Sequence, residues 1–228
     1  MNIEKSGKRV KAHIRYKNKD EKIVPGVTTF IGILNKPALV PWANNLGLQG
    51  INVKDYIDDK ADIGTLVHEM MFCDLFGMLP NSLEGGKVDT SYYTSIQIEV
   101  AKQSFKKYLN WKKQHIIKPI ILEKPFVSEK YQYGGTIDNY CLLDGIPTLI
   151  DYKTCKALYS EHFIQVSAYQ QLLRETGNKV KNCAILRVGR DELEGFEFER
   201  IPVKKIGYCW KIFKYCMAIY NLKKQLKK

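Results

Sequence analysis

Two aspartates and a lysine in the run GGTIDNYCLLDGIPTLIDYK, residues 134–153, are the side chains best placed to do chemistry in this 228-residue chain. Asp144-Gly145 stands between two β-like stretches, and both central residues of a type I′ hairpin turn need positive φ, which this pair tolerates. A two-residue turn pairs Leu143 with Ile146, so partner numbers sum to 289 and Asp138 falls opposite Asp151 on one face of the sheet. Their Cβ atoms are then expected roughly 4.5–5.5 Å apart, where two carboxylates repel unless a cation lies between them. Lys153, two residues beyond Asp151, points to the same side and faces Thr136. A divalent cation held by two carboxylates can activate water and steady a phosphate. An adjacent ammonium can orient the nucleophile or offset developing charge. That is phosphodiester chemistry. The competing reading is a wet hairpin face with an ordinary cross-strand salt bridge. Leu149, Ile150 and Tyr152 weigh against it, because apolar central strands rarely carry charge unless it is paired. Gly134 and Gly135 either admit a close approach of backbone or ligand or mark a bulge.

The elements that must position these residues follow from periodicity. Residues 62–76 carry Ile63, Leu66, Val67, Met70, Met71 and Leu75 at helical spacing, with Gly77 as the expected stop. A second helix is expected over 90–114, with Lys102, Lys106, Lys112 and Lys113 on one side and Ile98, Phe105, Tyr108 and Leu109 on the other. Three β-rich runs follow, at 116–127, 133–143 and 147–154. A helix over Ser160–Glu175 ends at Gly177, strands are expected at 182–189 and 195–203, and a lysine-studded helix begins near Lys205. This order predicts an α/β fold with a mixed central β-sheet flanked by helices. The first sixty residues read as an irregular section in which Pro37 and Pro41 punctuate short apolar segments and Trp42 packs on the core. Residues 81–87, with Gly85-Gly86, read as a surface loop. With no repeat or low-complexity linker, the expectation is a single domain: a section 1–60, a core 61–204 and a basic helix 205–228.

Bulk properties narrow the partner. Lys plus Arg number 36 against 24 Asp plus Glu, a net +12 that attracts phosphate backbones and releases their counterions. The six cysteines include no CxxC pair, which argues against a zinc ribbon or a thioredoxin-like site and for free, mostly buried thiols. No stretch approaches roughly 18 apolar residues, and the basic N-terminus has no apolar h-region, so a cytoplasmic protein without membrane association is expected. No GxxxxGK[ST] motif is present, so any unwinding must come from a partner.

Four motifs in order, GTLVH (64–68), GGTID (134–138), DYK (151–153) and QVSAY (165–169), resemble those of RecB-like nucleases of the PD-(D/E)XK superfamily. The opening PGVTTFIGILNKPALVPWA is similar to the start of phage-type and mitochondrial genome maintenance exonucleases. The resemblance implies a restriction-endonuclease-like core, with Asp138 and Asp151 as metal ligands, Lys153 as the catalytic lysine and His68 as a further ligand from the helix. Glu123 stands where relatives carry an acidic residue near the metal, or is a strand-end charge beside Lys124. Gln165 and Tyr169 resemble a QxxxY motif that supports the site and the DNA backbone, while also fitting an ordinary buried stripe with Val166, Leu172 and Leu173. Mg²⁺ or Mn²⁺ suits such a donor set. Some relatives hold an iron–sulfur cluster on four cysteines, but Cys209 and Cys216 lack the compact C-terminal group, so no iron–sulfur cluster is expected.

The expected activity is a metal-dependent DNA exonuclease, with single-stranded ends among its candidate substrates, in phage replication, recombination or repair. The host cytoplasm is its place if the chain is phage-encoded. A helicase, a single-strand-binding protein or a recombination protein is the partner class. The alternatives are a structure-specific or restriction-like endonuclease and an inactive DNA-binding recombination protein. The lysines at 223, 224, 227 and 228 either line a DNA path or form a solvated face.

Overall fold

In a computed structural model, residues 15–77 and 88–226 are described; the expected loop at 81–87, the N-terminal basic segment and the lysines at 227 and 228 lie outside them. At the centre, strands β3 (Ile117–Ser128), β4 (Tyr133–Leu143), β5 (Ile146–Lys153), β6 (Asn182–Val188) and β7 (Phe196–Arg200) lie side by side in that order. All neighbours are antiparallel except β5 and β6, which run parallel and are joined across the sheet by helix α5 (Ser160–Glu175). The sheet is therefore mixed, as the sequence order predicts. Strand β5 is a nearly unbroken apolar run because both its faces are covered: Leu149 enters one core cluster and Ile150 the other. The first cluster holds α5, the short helix α1 (Val27–Ile31) and the C-terminal helix α6 (Val203–Gln225). The second holds helices α3 (Val53–Leu75) and α4 (Ser95–Lys112).

The turn has the geometry its sequence calls for, with φ 52° at Asp144 and 83° at Gly145. The ladder runs from Leu143↔Ile146 to Asn139↔Ile150 in the expected register, then stops one pair short of the aspartates. Side-chain alternation in β4 also slips there. Tyr133 and Ile137 belong to the cluster under α5, whereas Cys141 and Leu143, of the same parity, belong to the one under α3 and α4. A strict two-residue period forbids this, so the pleat is broken between Ile137 and Cys141.

Residues 15–60, the described part of the first sixty, are not irregular, which corrects the sequence reading. They form β1 (Tyr16–Lys17), β2 (Ile23–Val24), α1, helix α2 (Leu39–Leu48) and the start of α3. Periodicity misses these elements because most are too short to show it, and α2 has no buried residue at all. Pro41 sits in the first turn of α2, where its missing N–H costs no helical hydrogen bond. Trp42 does not enter the core; it stands edge-on to Tyr56 with ring centroids 6.0 Å apart. Helix α3 starts well before Asp62, at Val53, with the Asn52 side chain accepting the N–H groups of Lys54 and Asp55. Its early turns face solvent with mixed charges and so carry no apolar stripe. Helix α4 starts at Ser95, later than expected, because Thr94 and Gln97 form a reciprocal capping box.

Candidate active site

Asp138 lies where the pleat of β4 breaks and β5 turns away. Its Oδ2 accepts the backbone N–H of Tyr152 at 2.9 Å, so the carboxylate occupies the place a ladder bond would have filled. Asp151 is 1% exposed, and Lys153 Nζ lies 2.6 Å from its Oδ2. Its Oδ1 is buried with no hydrogen-bond donor. From α3, on the other side of the sheet edge, His68 reaches in: ligand atoms of His68, Glu123 and Asp138 all lie within 4.8 Å of one another. Glu123 belongs to β3, one strand further out, and has φ 44°, a left-handed conformation that costs a non-glycine residue on the order of 1 kcal/mol. Although the residue as a whole is exposed, its carboxylate turns inward to the other two ligands. The outlier sits at the cluster, and backbone strain of this kind gathers at functional sites.

Electrostatics follow from crowding acids where water is scarce. Burial lifts the Glu123 carboxyl to about 8, helped by Asp138, Asp151 and Glu69. Burial also lifts Asp151, to about 6; Lys153 opposes the rise and Asp138 adds to it. Asp138 moves up for the same first reason, against the pull of Lys153 and the Tyr152 N–H. Burial pulls the Lys153 ammonium down, but Asp151 and Asp138 outweigh it and hold the group above lysine's ordinary value. The lysine is therefore a fixed positive charge and donor rather than a base.

Gln165 and Tyr169 are joined to each other, Gln165 Nε2 donating to Tyr169 Oη at 2.7 Å. Tyr169 is buried under the β4 floor, where a Cβ on Gly135 would meet its Cε1 at 2.5 Å. Gln165 is partly exposed. Tyr169 is thus part of the wall beneath the carboxylates, and only Gln165 of the two opens to solvent. Gly134 plays the matching role on the N-terminal side: a Cβ there would sit 2.1 Å from Tyr16 Cγ, and its N–H donates to Pro25 O at 3.0 Å. Close approach, of aromatic rings rather than ligand, accounts for both glycines.

Other contributors escape the motif reading. Tyr152, between Asp151 and Lys153, points to the opposite face, where its ring stands edge-on to His68 at 6.0 Å and its hydroxyl accepts from Asn139 Nδ2 at 2.8 Å. Asn139, a polar residue in an apolar strand, is the signal in the sequence for this contact; it is fully buried and so must find a polar partner. His162, in the first turn of α5, accepts the Tyr159 N–H at 3.3 Å; burial first, then Lys153, push its imidazole down to about 4. The lysines of α4 divide. Lys112 pairs with the buried Asp74 at 2.6 Å, whereas Lys106 and Lys113 are exposed.

The donor set of one imidazole and several carboxylates fits a hard divalent cation, and the orphaned Asp151 Oδ1 is a buried lone pair with nothing else to satisfy it. The four cysteines at 141, 183, 209 and 216 are buried and those at 73 and 155 partly so, all as free thiols. Among the described residues no helix is long and apolar enough to cross a membrane.

No family model matches the chain, and no curated protein does. Among solved structures it is similar to a candidate exonuclease from Eubacterium rectale, with a TM-score of 0.42 and 12% identity over 68% of this chain. That alignment spans 65% of the Eubacterium protein, just under two thirds of its length. It is also similar to the alkaline exonuclease LHK-Exo from Laribacter hongkongensis, with a TM-score of 0.31 and 12% identity over 74% of this chain and 92% of that one.

Proposed function

We propose that this protein is a divalent-metal-dependent deoxyribonuclease that hydrolyses DNA from its ends. The observation that carries the proposal is the convergence of His68, Glu123 and Asp138 within 4.8 Å, beside the buried Asp151–Lys153 pair. His68, Asp138, Asp151 and Glu123 would hold the cation, Mg²⁺ or Mn²⁺, which supplies Lewis-acid stabilisation of charge developing on the phosphate. Lys153 stays protonated between its two aspartates and donates to a phosphate oxygen or to the attacking water. Asp138 is fixed by the Tyr152 N–H and His68 is flanked by the Tyr152 ring, so the ligands are held before substrate arrives. Tyr169, buried and bonded to Gln165, forms part of the wall beneath the carboxylates. The net charge of +12 suits a polyanionic substrate. Processing of ends in replication, recombination or repair, with a helicase, single-strand-binding or recombination protein as partner, is the setting this chemistry serves.

End-labelled single- and double-stranded DNA, incubated with wild type and Lys153→Ala in Mg²⁺, Mn²⁺ or EDTA, tests the reading. Expected is metal-dependent loss of DNA by the wild type, with short products from one end at early times, and its collapse in the variant. Internal fragments at early times would make the enzyme an endonuclease. DNA binding without cleavage in either metal would overturn the catalytic proposal.

A further inference from the structure

Helix α6 has two apolar faces, and the fold uses one. Ile206, Cys209, Phe213, Cys216 and Met217 are buried against α1 and α5. Tyr208, Ile212, Tyr215, Ile219 and Leu222 along the helix, and Leu226 at its C-cap, are exposed instead, from 41% at Ile212 to 87% at Leu226. Their spacing is 4, 3, 4, 3, 4, the a/d seam of a coiled coil, sustained over about 27 Å of helix. An apolar stripe on a helix is ordinarily covered, and here a second one is not. Scattered exposed apolar residues need no explanation, but an unbroken seam does.

The rim of the seam identifies what covers it. Val203–Gln225 contains six lysines and no acidic residue. Lys205 belongs to the body of the protein, paired with Glu199 at 2.8 Å and lying over the Phe163 ring. The other five, Lys204, Lys211, Lys214, Lys223 and Lys224, are exposed, and among the described residues no carboxylate pairs with them; of these Lys204, Lys211 and Lys223 take the e and g positions beside the seam. Lys204 and Lys211 lie over the first ring of the seam, Tyr208, at 6.0 and 5.9 Å from its centroid. A second copy of this helix would bring lysines against lysines across the seam, which disfavours self-pairing. The narrow 4–3 spacing suits a facing helix, whereas a lipid surface selects a broad apolar face.

We infer that the outer face of α6 is a docking surface for an α-helix of another protein, one carrying an apolar heptad seam flanked by Asp and Glu. This inference is independent of the nuclease reading. The charged rim sets orientation and speeds encounter, and the seam supplies the area.

The test uses the full chain and two synthetic helical peptides with the same Ile/Leu seam, one flanked by Glu and one by Lys. Fluorescence anisotropy should show the Glu-flanked peptide binding wild type about tenfold or more tighter than the Lys-flanked one. Ile219→Glu, at an exposed position, should weaken binding by a similar factor while leaving the thermal melt unchanged. The triple variant Lys204→Glu/Lys211→Glu/Lys223→Glu should invert the preference between peptides, a result that misfolding cannot imitate. Equal binding of both peptides, or no binding of either, overturns the inference. So does a concentration-dependent dimer abolished by Ile219→Glu, which would assign the seam to a second copy. Displacement of the Glu-flanked peptide by an oligonucleotide, or binding to phosphatidylserine vesicles that Ile219→Glu removes, would assign the face to nucleic acid or membrane instead.

Discussion

The two ends of the β4–β5 hairpin carry the same residue type and treat it in opposite ways. At the turn, Asp144 accepts the Ile116 N–H at 2.8 Å and contacts His115 Nδ1 at 2.7 Å in the open, and those bonds hold its carboxyl below the usual range. At the far end, burial raises both Asp138 and Asp151. The glycines divide likewise. Gly145 is needed for its φ of 83° with nothing crowding it, whereas Gly134 and Gly135 are needed because Tyr16 and Tyr169 leave no room for a Cβ. One end of the hairpin satisfies its charges and stabilises the fold; the other leaves charge and a lone pair in need of a partner. Unsatisfied polar groups in a native fold mark function more reliably than charge itself.

Breaking the far end should have the largest effect. Lys153→Ala or Asp138→Asn should lower DNA cleavage by about 10²–10³-fold in Mg²⁺, while Asp144→Asn leaves it unchanged; equal losses at both ends would erase the distinction. Next, Gly134→Ala should cost on the order of 1–3 kcal/mol in denaturant unfolding through the clash with Tyr16. Truncation by Tyr16→Ala should recover part of that loss in the double variant. Gly145→Ala has no neighbour to remove, and its strain should be relieved only by a residue tolerant of positive φ, such as Asn.

The pH dependence should differ in sign between the ends. In EDTA, Glu123 near 8 and Asp151 near 6 keep protons in the folded state that the unfolded chain, titrating near 4, has released. That contribution is fully present below about pH 4 and lost as pH rises towards about 8. Melting temperatures in EDTA should therefore fall across that window, and saturating Mg²⁺ or Mn²⁺ should flatten the fall. An unchanged slope with metal would count against the four-residue site. The smallest effect belongs to Asp144, whose lowered carboxyl stabilises above the unfolded value and loses that as pH falls through the folded one. Asp144→Asn should remove only this acid-side loss, visible as a shallower drop in melting temperature below about pH 4.

Much of the fold is legible in the sequence because it is written in local terms. The Asp-Gly turn and a two-residue period fix the β4–β5 register, Gly177 and the apolar spacing bound α5, and the strand order follows from the pattern of apolar runs. The N-terminal elements are not legible, since β1, β2 and α1 are too short to show a period and gain their order only by packing on Gly134 and α5. Nor is the slip in β4: alternation extrapolates the pleat straight through Asp138, whereas the facing strand β3 shifts register between Pro119 and Ile121 and carries Glu123 at φ 44°.

By itself, then, the sequence set the register that carries Asp138 towards Asp151 and pointed to residue types suited to the proposed chemistry. Only the tertiary structure decided that Glu123, on a positive φ, and His68, from a helix on the other side of the sheet, meet Asp138 while Asp151 is held by Lys153. It likewise left the second apolar face of α6 open. The physical reason is the same in each case: hydrogen-bond register and helical period act between near neighbours. Convergence of side chains far apart along the chain depends on how sheet and helices pack, and no local period records that.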